Sequence, residues 1–449
     1  MFTTVRERGD PMHLSVIGCG YLGAVHSAAM AQLGHTVVGI DVDETKVASL
    51  SAGVAPFYEP GLPEILSSSR ESGRLRFSSD ISDAAGARVH FIAVGTPQKA
   101  GGYAADLRYV DAAIESLIPH LAPGDLVVGK STVPVGTAAR LAILLEGTGA
   151  TLAWNPEFLR EGFAVQDTIS PDRLVYGVPQ GETGESATAT LNEVYADALS
   201  RDTPLVVADY ATAELVKVAA NAFLATKISF INAMAEISEA TGADVTALAD
   251  AIGHDNRIGR RFLNAGIGFG GGCLPKDIRA FTARAEELGC GESVVFLKEV
   301  DAINLRRRIR VLEMTVESLG GSVHGKRVAV LGLAFKPHSD DIRDSPALDI
   351  AVQLKGLGAN VIGHDPQAMR NAKIRHPQLS YAATATDALR GAEAIIVVTE
   401  WPEYRELLPA AVKELATGHL VIDGRNCLDA DAWRDVGFTY RGLGRPDIG

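Results

Sequence analysis

The segment Leu14-Ser15-Val16-Ile17-Gly18-Cys19-Gly20-Tyr21-Leu22-Gly23 decides the fold of the first part of the chain. A short apolar run typical of a buried strand leads into the pattern G-x-G-x-x-G, and a helical pattern follows over residues 22–33. Gly18 allows a tight turn, Gly20 lets the backbone approach a pyrophosphate, and Gly23 lets the helix pack closely on the strand. The segment therefore predicts a dinucleotide site at a helix N-terminus.

An acidic residue ends the next predicted strand. Asp41 closes the run 36–41 and is placed to accept hydrogen bonds from both ribose hydroxyls. Because a 2′-phosphate would be repelled there, the sequence favours NAD over NADP. Lys46 lies close along the chain and weakens that preference slightly. A glycine-rich turn of an unrelated α/β fold is the alternative, and it does not explain the strand, helix and acid together.

Working outward, short apolar runs alternate with helical patterns through residues 1–208. The predicted strands are 13–18, 36–41, 89–94, 125–129 and 151–154, and the predicted helices are 22–33, 107–120 and 137–145. This alternation indicates a parallel, doubly wound sheet. A strand pair at 173–177 and 204–207 is expected to extend it.

The pattern becomes helical from Asp209 and returns to strand–helix alternation at Lys326. The predicted central helices are 209–242, 245–252, 278–287 and 293–319. The later strands are 327–331, 360–363, 394–398 and 419–422, with helices at 347–357 and 410–415. We therefore expect an α/β fold with two Rossmann-like domains, 1–208 and 319–449, joined by a central, mainly helical domain, 209–318. A long apolar helix in that position often carries a dimer interface.

Composition narrows the class of partner. The chain has 449 residues, 47% of them apolar, and a net charge of −13. Such a balance disfavours nucleic acid and anionic membrane as partners. No apolar run reaches about 18 residues, and residues 1–12 lack the apolar core of a signal peptide. The four cysteines are far apart, which suggests neither zinc nor disulfides and fits a cytoplasmic protein.

The segment Gly124-Asp125-Leu126-Val127-Val128-Gly129-Lys130-Ser131 matches the letters of a P-loop. Residues 126–128 look like a buried strand, however, and Pro134 falls where the helix should be running. The more useful interpretation is that Ser131 and Thr132 follow a strand at its carboxyl end, where open α/β sheets bind ligands. Thr96 follows a neighbouring strand in the same way.

The most informative segment is Gly268-Phe269-Gly270-Gly271-Gly272-Cys273-Leu274-Pro275-Lys276-Asp277. Its glycines allow close approach to a ligand, and Pro275 is typical of a first helical turn. Cys273 would then lie near the N-cap, where a helix N-terminus and Lys276 both favour the thiolate. The alternative is a small buried apolar residue before a helix. Cys19, Cys290 and Cys427 lack this setting.

Taken together, these motifs strongly resemble the UDP-glucose/GDP-mannose dehydrogenase family over about residues 13–443. The ordered set is Gly18–Gly23, Ser131-Thr132-Val133-Pro134, Asn155-Pro156-Glu157-Phe158-Leu159-Arg160-Glu161-Gly162, Lys217 with Asn221, Gly270–Asp277, Phe335-Lys336 and Asp423-Gly424-Arg425. The stretch from Asn256-Arg257-Ile258-Gly259 to Gly270 resembles the UDP-glucose branch. Two positions depart from that branch: Leu274, where Phe is frequent, and Gly272, where Ser is commoner.

The resemblance implies oxidation of a primary alcohol to an acid with two NAD and no metal, through a covalent intermediate on Cys273. Lys217 and Asn221, four apart on one helix face, would stabilise an oxyanion. Glu157 would be the general base for thioester hydrolysis, and Asp277, with a water near Thr132, would assist proton transfer. Bland alternatives are a solvated Lys217, a turn-capping Glu157, and an Asp277 that only complements the helix dipole.

The resemblance also implies binding residues. For the cofactor these are Gly18, Cys19, Gly20, Tyr21, Leu22, Gly23, Asp41, Lys46, Thr96, Thr132, Glu161, Lys276 and Arg343. For the substrate they are Glu157, Phe158, Leu159, Arg160, Lys217, Asn221, Arg257, Phe262, Asn264, Gly268, Phe269, Gly270, Lys336 and Arg425. In the family, the position of Arg257 reaches across from a partner subunit, which implies a homodimer.

UDP-glucose is the expected substrate and UDP-glucuronate the expected product. GDP-mannose, TDP-glucose or another nucleotide sugar is the alternative within the family. Outside it stand a two-electron dehydrogenase of small hydroxy acids, in which Cys273 would be dispensable, and a catalytically dead NAD-sensing protein. The third domain argues against the first, and the presence of every catalytic residue argues against the second.

Overall fold

Two mainly parallel sheets form the framework of residues 11–446, the part of the chain that the computed structural model describes. The tail expected over residues 1–12 falls almost entirely outside these residues. The strands are β1 (His13–Ile17), β2 (Thr36–Ile40), β3 (Leu75–Ser78), β4 (Val89–Ile92), β5 (Leu126–Gly129), β6 (Thr151–Trp154), β7 (Leu174–Gly177), β8 (Leu205–Ala208), β9 (Arg327–Leu331), β10 (Asn360–His364), β11 (Ser380–Tyr381), β12 (Ala394–Val397), β13 (Leu420–Asp423) and β14 (Thr439–Gly442).

Helices connect the strands and form the central region. They are α1 (Tyr21–Gln32), α2 (Glu44–Ser51), α3 (Leu62–Glu71), α4 (Arg108–Leu117), α5 (Thr137–Leu144), α6 (Ala164–Ile169), α7 (Glu182–Val194), α8 (Ala196–Ser200), α9 (Tyr210–Thr241), α10 (Val245–Gly253), α11 (Leu274–Glu287), α12 (Phe296–Ser318), α13 (Pro346–Gly356), α14 (Met369–Arg375), α15 (Ala385–Leu389), α16 (Pro402–Arg405), α17 (Pro409–Leu415) and α18 (Ala430–Asp435). The chain divides into two compact units, residues 1–220 and 221–449.

The first unit holds an eight-stranded sheet in the order β3-β2-β1-β4-β5-β6-β7-β8. All its strand pairs are parallel except β6 with β7. The inner strands β4 and β5 are buried at every residue, as expected where helices cover both faces. The prediction of a doubly wound sheet extended by one further strand pair is confirmed.

The second unit holds a six-stranded parallel sheet in the order β11-β10-β9-β12-β13-β14. Its core includes Ile267 and Val311, which come from outside the sheet and its connections, together with residues of β9, β12 and β13. Smaller apolar clusters hold the later part of α9 against α10, α11 and α12. The predicted central helical region and second Rossmann-like sheet are therefore confirmed.

The longest helix, α9, has 32 residues, and the division between the two units falls within it. It was predicted over 209–242. Among the helices of residues 11–446, only α9 has the length and composition to cross a membrane. Less than half of its most apolar stretch is buried. That is a weak signal, because internal helices of globular proteins pass the same test. The expectation of no membrane partner stays a prediction.

Some elements differ from the sequence-based expectation. The predicted helix 278–287 begins earlier, at Leu274, and the predicted helix 293–319 divides into a 3₁₀ turn, Gly291–Val294, and α12. Strands β3, β11 and β14 were not predicted. All three lie at sheet edges, where one face or one side of the strand is less apolar than in a buried strand.

Candidate active site

The turn between β1 and α1 has the geometry of a pyrophosphate cradle. Gly18 has φ +92°, and a Cβ there would lie 2.7 Å from the Val94 side chain. A Cβ at Gly23 would lie 1.8 Å from the Gly18 carbonyl oxygen. At Gly20, by contrast, a Cβ would meet no atom within 4 Å. The protein itself requires the outer two glycines, whereas the middle one leaves the backbone open to a ligand.

Asp41 lies beside this turn and is 8% exposed. One carboxylate oxygen accepts from the Cys19 N–H at 2.8 Å and from Lys46 Nζ at 2.8 Å, and the other accepts from the Asp43 N–H at 3.0 Å. The Cys19 side chain is buried, and burial raises the pKa of its thiol. Cys19 is thus buried with its N–H bound to Asp41, while Asp41 retains the acceptor capacity that a ribose diol needs. These residues fit NAD.

Glu59, which the sequence interpretation missed, ties the cofactor turn to a second loop. It is buried and accepts from the hydroxyl of Tyr21, from the Gly162 N–H at 2.6 Å and from the Ala164 N–H at 2.7 Å. Burial and the nearby Glu59 carboxylate raise the pKa of Tyr21. Glu161 therefore lies in a loop fixed beside Tyr21, as the expected cofactor role requires. Leu22, next in the turn, is half-buried.

The loops that follow β4 and β5 meet as their strand positions predicted. The Thr96 hydroxyl donates to the Thr132 carbonyl oxygen at 2.8 Å, and the Ser131 hydroxyl donates to the Val94 carbonyl oxygen at 2.7 Å. Residues 126–129 form a strand, so the P-loop letters do not form a P-loop. Lys130, inside those letters, is buried behind this edge of the sheet.

Glu157 and Lys217 form an ion pair of 3.0 Å with both side chains largely buried. Glu157 also accepts from the Leu159 N–H at 2.7 Å, and Lys217 Nζ lies 5.6 Å from the ring of Phe158. Glu157 is thus not a simple turn cap, and Lys217 is not a solvated helix residue. Arg160 lies apart from this pair, because Asp167 binds its guanidinium at 2.6 and 2.9 Å.

Cys273 is the exposed N-cap residue of α11. One turn later, Asp277 is buried, and its carboxylate accepts from Asn221 Nδ2 at 2.6 Å and pairs with Lys276 Nζ at 2.7 Å. The predicted placement of the thiol at a helix N-terminus is confirmed. Asp277 does more than complement the helix dipole, since it connects Asn221 of α9 to the helix that carries Cys273.

The glycine-rich segment before Cys273 lies against loops of the second sheet. Asn304 holds Phe269 through both backbone groups, at 2.7 and 3.0 Å, and the Gly271 N–H donates to the Arg343 carbonyl oxygen at 2.9 Å. A Cβ at Gly272 would lie 2.3 Å from Cζ of Arg343. Because that atom is at the far end of a flexible side chain, the contact does not explain the departure from serine at this position.

The cationic side chains expected to bind the nucleotide differ in their surroundings. Arg425 donates to the carbonyl oxygens of Val398, Gly268 and Phe335, at 2.9 to 3.0 Å, and so fixes the glycine-rich loop. Lys336 Nζ lies 5.5 Å from the Phe335 ring, on the same loop. Three other expected residues lie in the turns after α10: an exposed Arg257 paired with Asp255, Phe262 with φ +66°, and Asn264 bonded to Arg260.

Two further features bear on the chemistry. Among residues 11–446, no group of three or more His, Cys, Asp or Glu side chains could hold a metal ion. None of the four cysteines, all of which lie within these residues, forms a disulfide. A dinucleotide turn with an acid placed for a ribose, together with buried acid–base groups and an exposed thiol at a helix N-terminus, fits one class of protein, an NAD-dependent oxidoreductase.

Comparison with known proteins specifies the family. Models of the UDP-glucose/GDP-mannose dehydrogenase family match residues 12–199 (NAD binding domain), 211–306 (central domain) and 329–430 (UDP binding domain). A UDP-glucose 6-dehydrogenase of Rhizobium meliloti is 42% identical over 97% of this chain and 100% of its own length. The chain belongs to the UDP-glucose/GDP-mannose dehydrogenase family.

Solved structures agree with that assignment. A UDP-glucose dehydrogenase from Pyrobaculum islandicum is similar with a TM-score of 0.88 and 39% identity, covering 99% of this chain and 100% of that one. A UDP-D-ManNAc dehydrogenase from Pyrococcus horikoshii has a TM-score of 0.83 and 27% identity, covering 97% and 100%.

Proposed function

We propose that this protein oxidises UDP-glucose to UDP-glucuronate in two successive hydride transfers to NAD, through a covalent intermediate on Cys273. The observation that carries the proposal is the exposed Cys273 at the start of α11, one turn from the buried Asp277 that Asn221 and Lys276 bind. A dehydrogenase limited to two electrons has no use for such a thiol. The UDP-glucose dehydrogenases among its relatives support the choice of sugar.

The cofactor, held by the turn 18–23 and Asp41, supplies the hydride acceptor in both oxidations. In the first, the sugar C6 hydroxyl loses its proton toward Asp277 through a water near Thr132, and the aldehyde forms as C6 loses a hydride. The Cys273 thiolate then attacks the aldehyde carbon to give a thiohemiacetal. Loss of the hydroxyl proton and a second hydride gives a thioester.

Hydrolysis completes the reaction. Glu157 takes a proton from water, the water oxygen bonds to the thioester carbon, and the carbon–sulfur bond breaks to release the acid and the Cys273 thiolate. The Lys217 ammonium and the Asn221 amide are the donors proposed to stabilise the oxyanions of these steps. In balance, the alcohol and one water become the acid, and four electrons leave with two NADH.

The contacts with the nucleotide sugar are also a proposal. The residues are Glu157, Phe158, Leu159, Arg160, Lys217, Asn221, Arg257, Phe262, Asn264, Gly268, Phe269, Gly270, Lys336 and Arg425. The cations among them suit a diphosphate in a chain of net charge −13. Arg425 would act partly through the loop it holds, because its guanidinium already donates to three carbonyl oxygens.

We also propose a homodimer formed through α9. Phe223, Phe230 and Ile237 recur every seven residues on this helix and are 67%, 48% and 55% exposed. Such a stripe of large apolar side chains is typical of a helix that packs on another helix. The three-domain division at 208 and 318, a cytoplasmic location, and the absence of nucleic-acid, membrane and metal partners stay predictions.

A substrate panel tests the proposed function. NADH formation is followed with UDP-glucose, GDP-mannose, TDP-glucose and a small hydroxy acid, each with NAD and with NADP. We expect the highest kcat/KM with UDP-glucose and NAD. A preference for another nucleotide sugar would contradict UDP-glucose as the substrate. Turnover of only the hydroxy acid would contradict the proposed class of dehydrogenase. NAD binding without any turnover would identify a sensing protein.

A further inference from the structure

A buried polar cluster lies behind the turn that carries Glu157. Lys130, which directly follows β5, is 6% exposed. Its Nζ donates to Asn155 Oδ1 at 2.9 Å, to the Tyr195 hydroxyl at 3.2 Å and to the Asn155 carbonyl oxygen at 3.4 Å. The Tyr195 hydroxyl donates to the same Oδ1 at 2.7 Å. Three segments distant in sequence are thus joined at one ammonium group.

This lysine is unusual because its hydrogen-bond acceptors are all neutral. Within residues 11–446, no carboxylate forms an ion pair with Lys130. Burying a cation in this way is costly, so such groups concentrate at functional sites. Burial lowers the pKa of Lys130 to about 8, attraction to Glu157 opposes that effect, and repulsion from Lys217 adds to it. Glu157 is therefore near enough to interact with the ammonium through space.

The cluster also borders a partly open cavity of about 50 Å³. Its lining includes His26, Lys130, Glu157 and Tyr195. His26 is fully buried, and among the described residues no group hydrogen bonds to either ring nitrogen. A cavity of this size, lined by both polar and apolar side chains, has room for about one or two water molecules. Polar side chains therefore reach the back of the Glu157 turn, beside the apolar side chains of Phe158, Leu159 and Leu174.

The connection from Lys130 to Glu157 is short and stiff. Asn155 precedes Pro156, which restricts the backbone of both residues. Its side chain is held on the other side, since Nδ2 donates to the Val175 carbonyl oxygen at 3.0 Å. Lys130 Nζ donates hydrogen bonds to both the side-chain oxygen and the carbonyl oxygen of Asn155. These bonds fix the position of the backbone just before Glu157.

We propose that Lys130 is a positioning residue for Glu157, and that it acts through Asn155 on the hydrolysis of the thioester rather than on hydride transfer. The inference rests on the proposed function. The two oxidations use Asp277, Thr132 and Cys273, none of which bonds to Lys130. Disturbing Lys130 should therefore slow only the step that needs Glu157 as a base.

Rapid mixing of enzyme with UDP-glucose and NAD separates the steps. In Lys130→Met, we expect a burst of two NADH per active site at a rate near that of wild type. Steady-state turnover should fall by about 10- to 100-fold, at or below the lower end of the roughly 100- to 10,000-fold contribution of a general base, because Glu157 is misplaced rather than removed. Acid-quenched Lys130→Met should carry the sugar acid as a thioester on Cys273, which mass spectrometry detects. Tyr195→Phe should show the same selective slowing, about threefold to tenfold, because one bond to Asn155 and one to Lys130 are lost.

The pH profile adds a readout that loss of folding would not produce. Steady-state turnover of wild type should fall above about pH 8 as Lys130 loses its proton, and this limb should be absent in Lys130→Met. The charged and titratable groups that face Lys130 or line its cavity are Glu157, Lys217, His26, Tyr195, Asp167, Asp172 and Arg173. The matched control is His26→Leu, which alters the cavity wall and leaves the Asn155 turn intact.

The outcomes are separable. Equal losses of burst rate and steady-state rate in both Lys130→Met and Tyr195→Phe, or no loss in either, would overturn the inference. A selective loss of the same size in His26→Leu would overturn it too, by showing that the cavity as a whole matters. If Lys130→Met does not fold, Tyr195→Phe decides alone. Absence of NADH from wild type would instead overturn the proposed function, and the inference with it.

Discussion

Both Rossmann-like sheets place a glycine of positive φ directly after their first strand in the chain, Gly18 after β1 and Gly332 after β9. The connections then differ, because α1 begins at Tyr21 whereas α13 begins only at Pro346. After β1, Gly18 is followed by a turn that is open at Gly20. After β9, Gly332 is followed by Leu333 and Ala334, both fully buried, and Leu333 packs toward Gly363 of β10. The first turn leaves room for a pyrophosphate, whereas the second is filled by its own side chains.

The acids after the second strand differ in the same way. Asp41 keeps Lys46 as a half-buried partner at 2.8 Å. Asp365 is 1% exposed, and its carboxylate accepts from Leu333, Ala334, Gln367 and Ala368 N–H groups and from the Trp401 indole. An acid with this number of internal donors has no place for a ribose. Equivalent strand ends thus leave room for a ligand in the first sheet and are filled by internal packing in the second.

Replacing a glycine with alanine in each turn should give the largest difference between the two sheets. Gly332 has φ +104°, and a Cβ there would lie 2.4 Å from Thr399, so Gly332→Ala should reduce the free energy of unfolding by about 3 kcal/mol or more. Gly20→Ala should leave stability within about 0.5 kcal/mol and raise the Kd for NAD about tenfold or more. Denaturant titration and NAD binding measure the two effects. A destabilised Gly20→Ala would break the comparison.

Replacing each acid with asparagine should give the second-largest difference between the two sheets. Asp365→Asn replaces a charged acceptor of five donors, and we expect a loss of about 2 kcal/mol in unfolding free energy without a change in NAD affinity. Asp41→Asn should weaken NAD binding about tenfold. Calorimetric unfolding and NAD titration are the measurements. Equal effects of the two variants on NAD affinity would mean that both acids face ligand.

The smallest effect concerns acid stability. Burial lowers the pKa of His26 and His90 in the first unit, and that of His364 in the second, below the ordinary value of 6.5. Because the unfolded chain then binds more protons than the folded chain, stability should fall as pH drops below 6.5, and it should be unaffected above that value. Each histidine contributes a slope of at most about 1.4 kcal/mol per pH unit.

The variants His90→Gln and His364→Gln separate the two units. His90 Nδ1 shares a hydrogen bond of 2.8 Å with the Ser15 hydroxyl, and His364 Nδ1 shares one of 2.8 Å with the Tyr404 hydroxyl. Each substitution should reduce the acid slope measured by urea unfolding at pH 5 to 8. An unchanged slope in both variants would assign the acid sensitivity to other groups.

Local pattern in the sequence was enough to predict most elements of the fold and part of the site. The order of elements, the open turn at Gly20 and the position of Cys273 at a helix N-terminus are all encoded by neighbours in the chain. The partners of buried charges are not. Lys130 meets Asn155 and Tyr195, and Glu59 meets Tyr21 and Gly162, across 25 to 103 residues.

One signal for Lys130 was available. Like Thr132, it follows a buried strand at the carboxyl edge of the sheet, although it also falls within the letters of a P-loop that does not form. Arg425 shows the opposite problem. Its type and position suggested a phosphate contact, and no local pattern could reveal that its guanidinium donates to three backbone carbonyl oxygens.

The most direct test of the central claim is the amount of NADH formed per UDP-glucose consumed, measured with wild type and Cys273→Ser. Our account predicts two NADH for wild type, and for the variant a stall before free UDP-glucuronate, because no thioester can form. Both proteins should melt alike, since the thiol is exposed. One NADH from wild type, or full turnover by Cys273→Ser, would make Cys273 a structural residue and contradict the covalent mechanism.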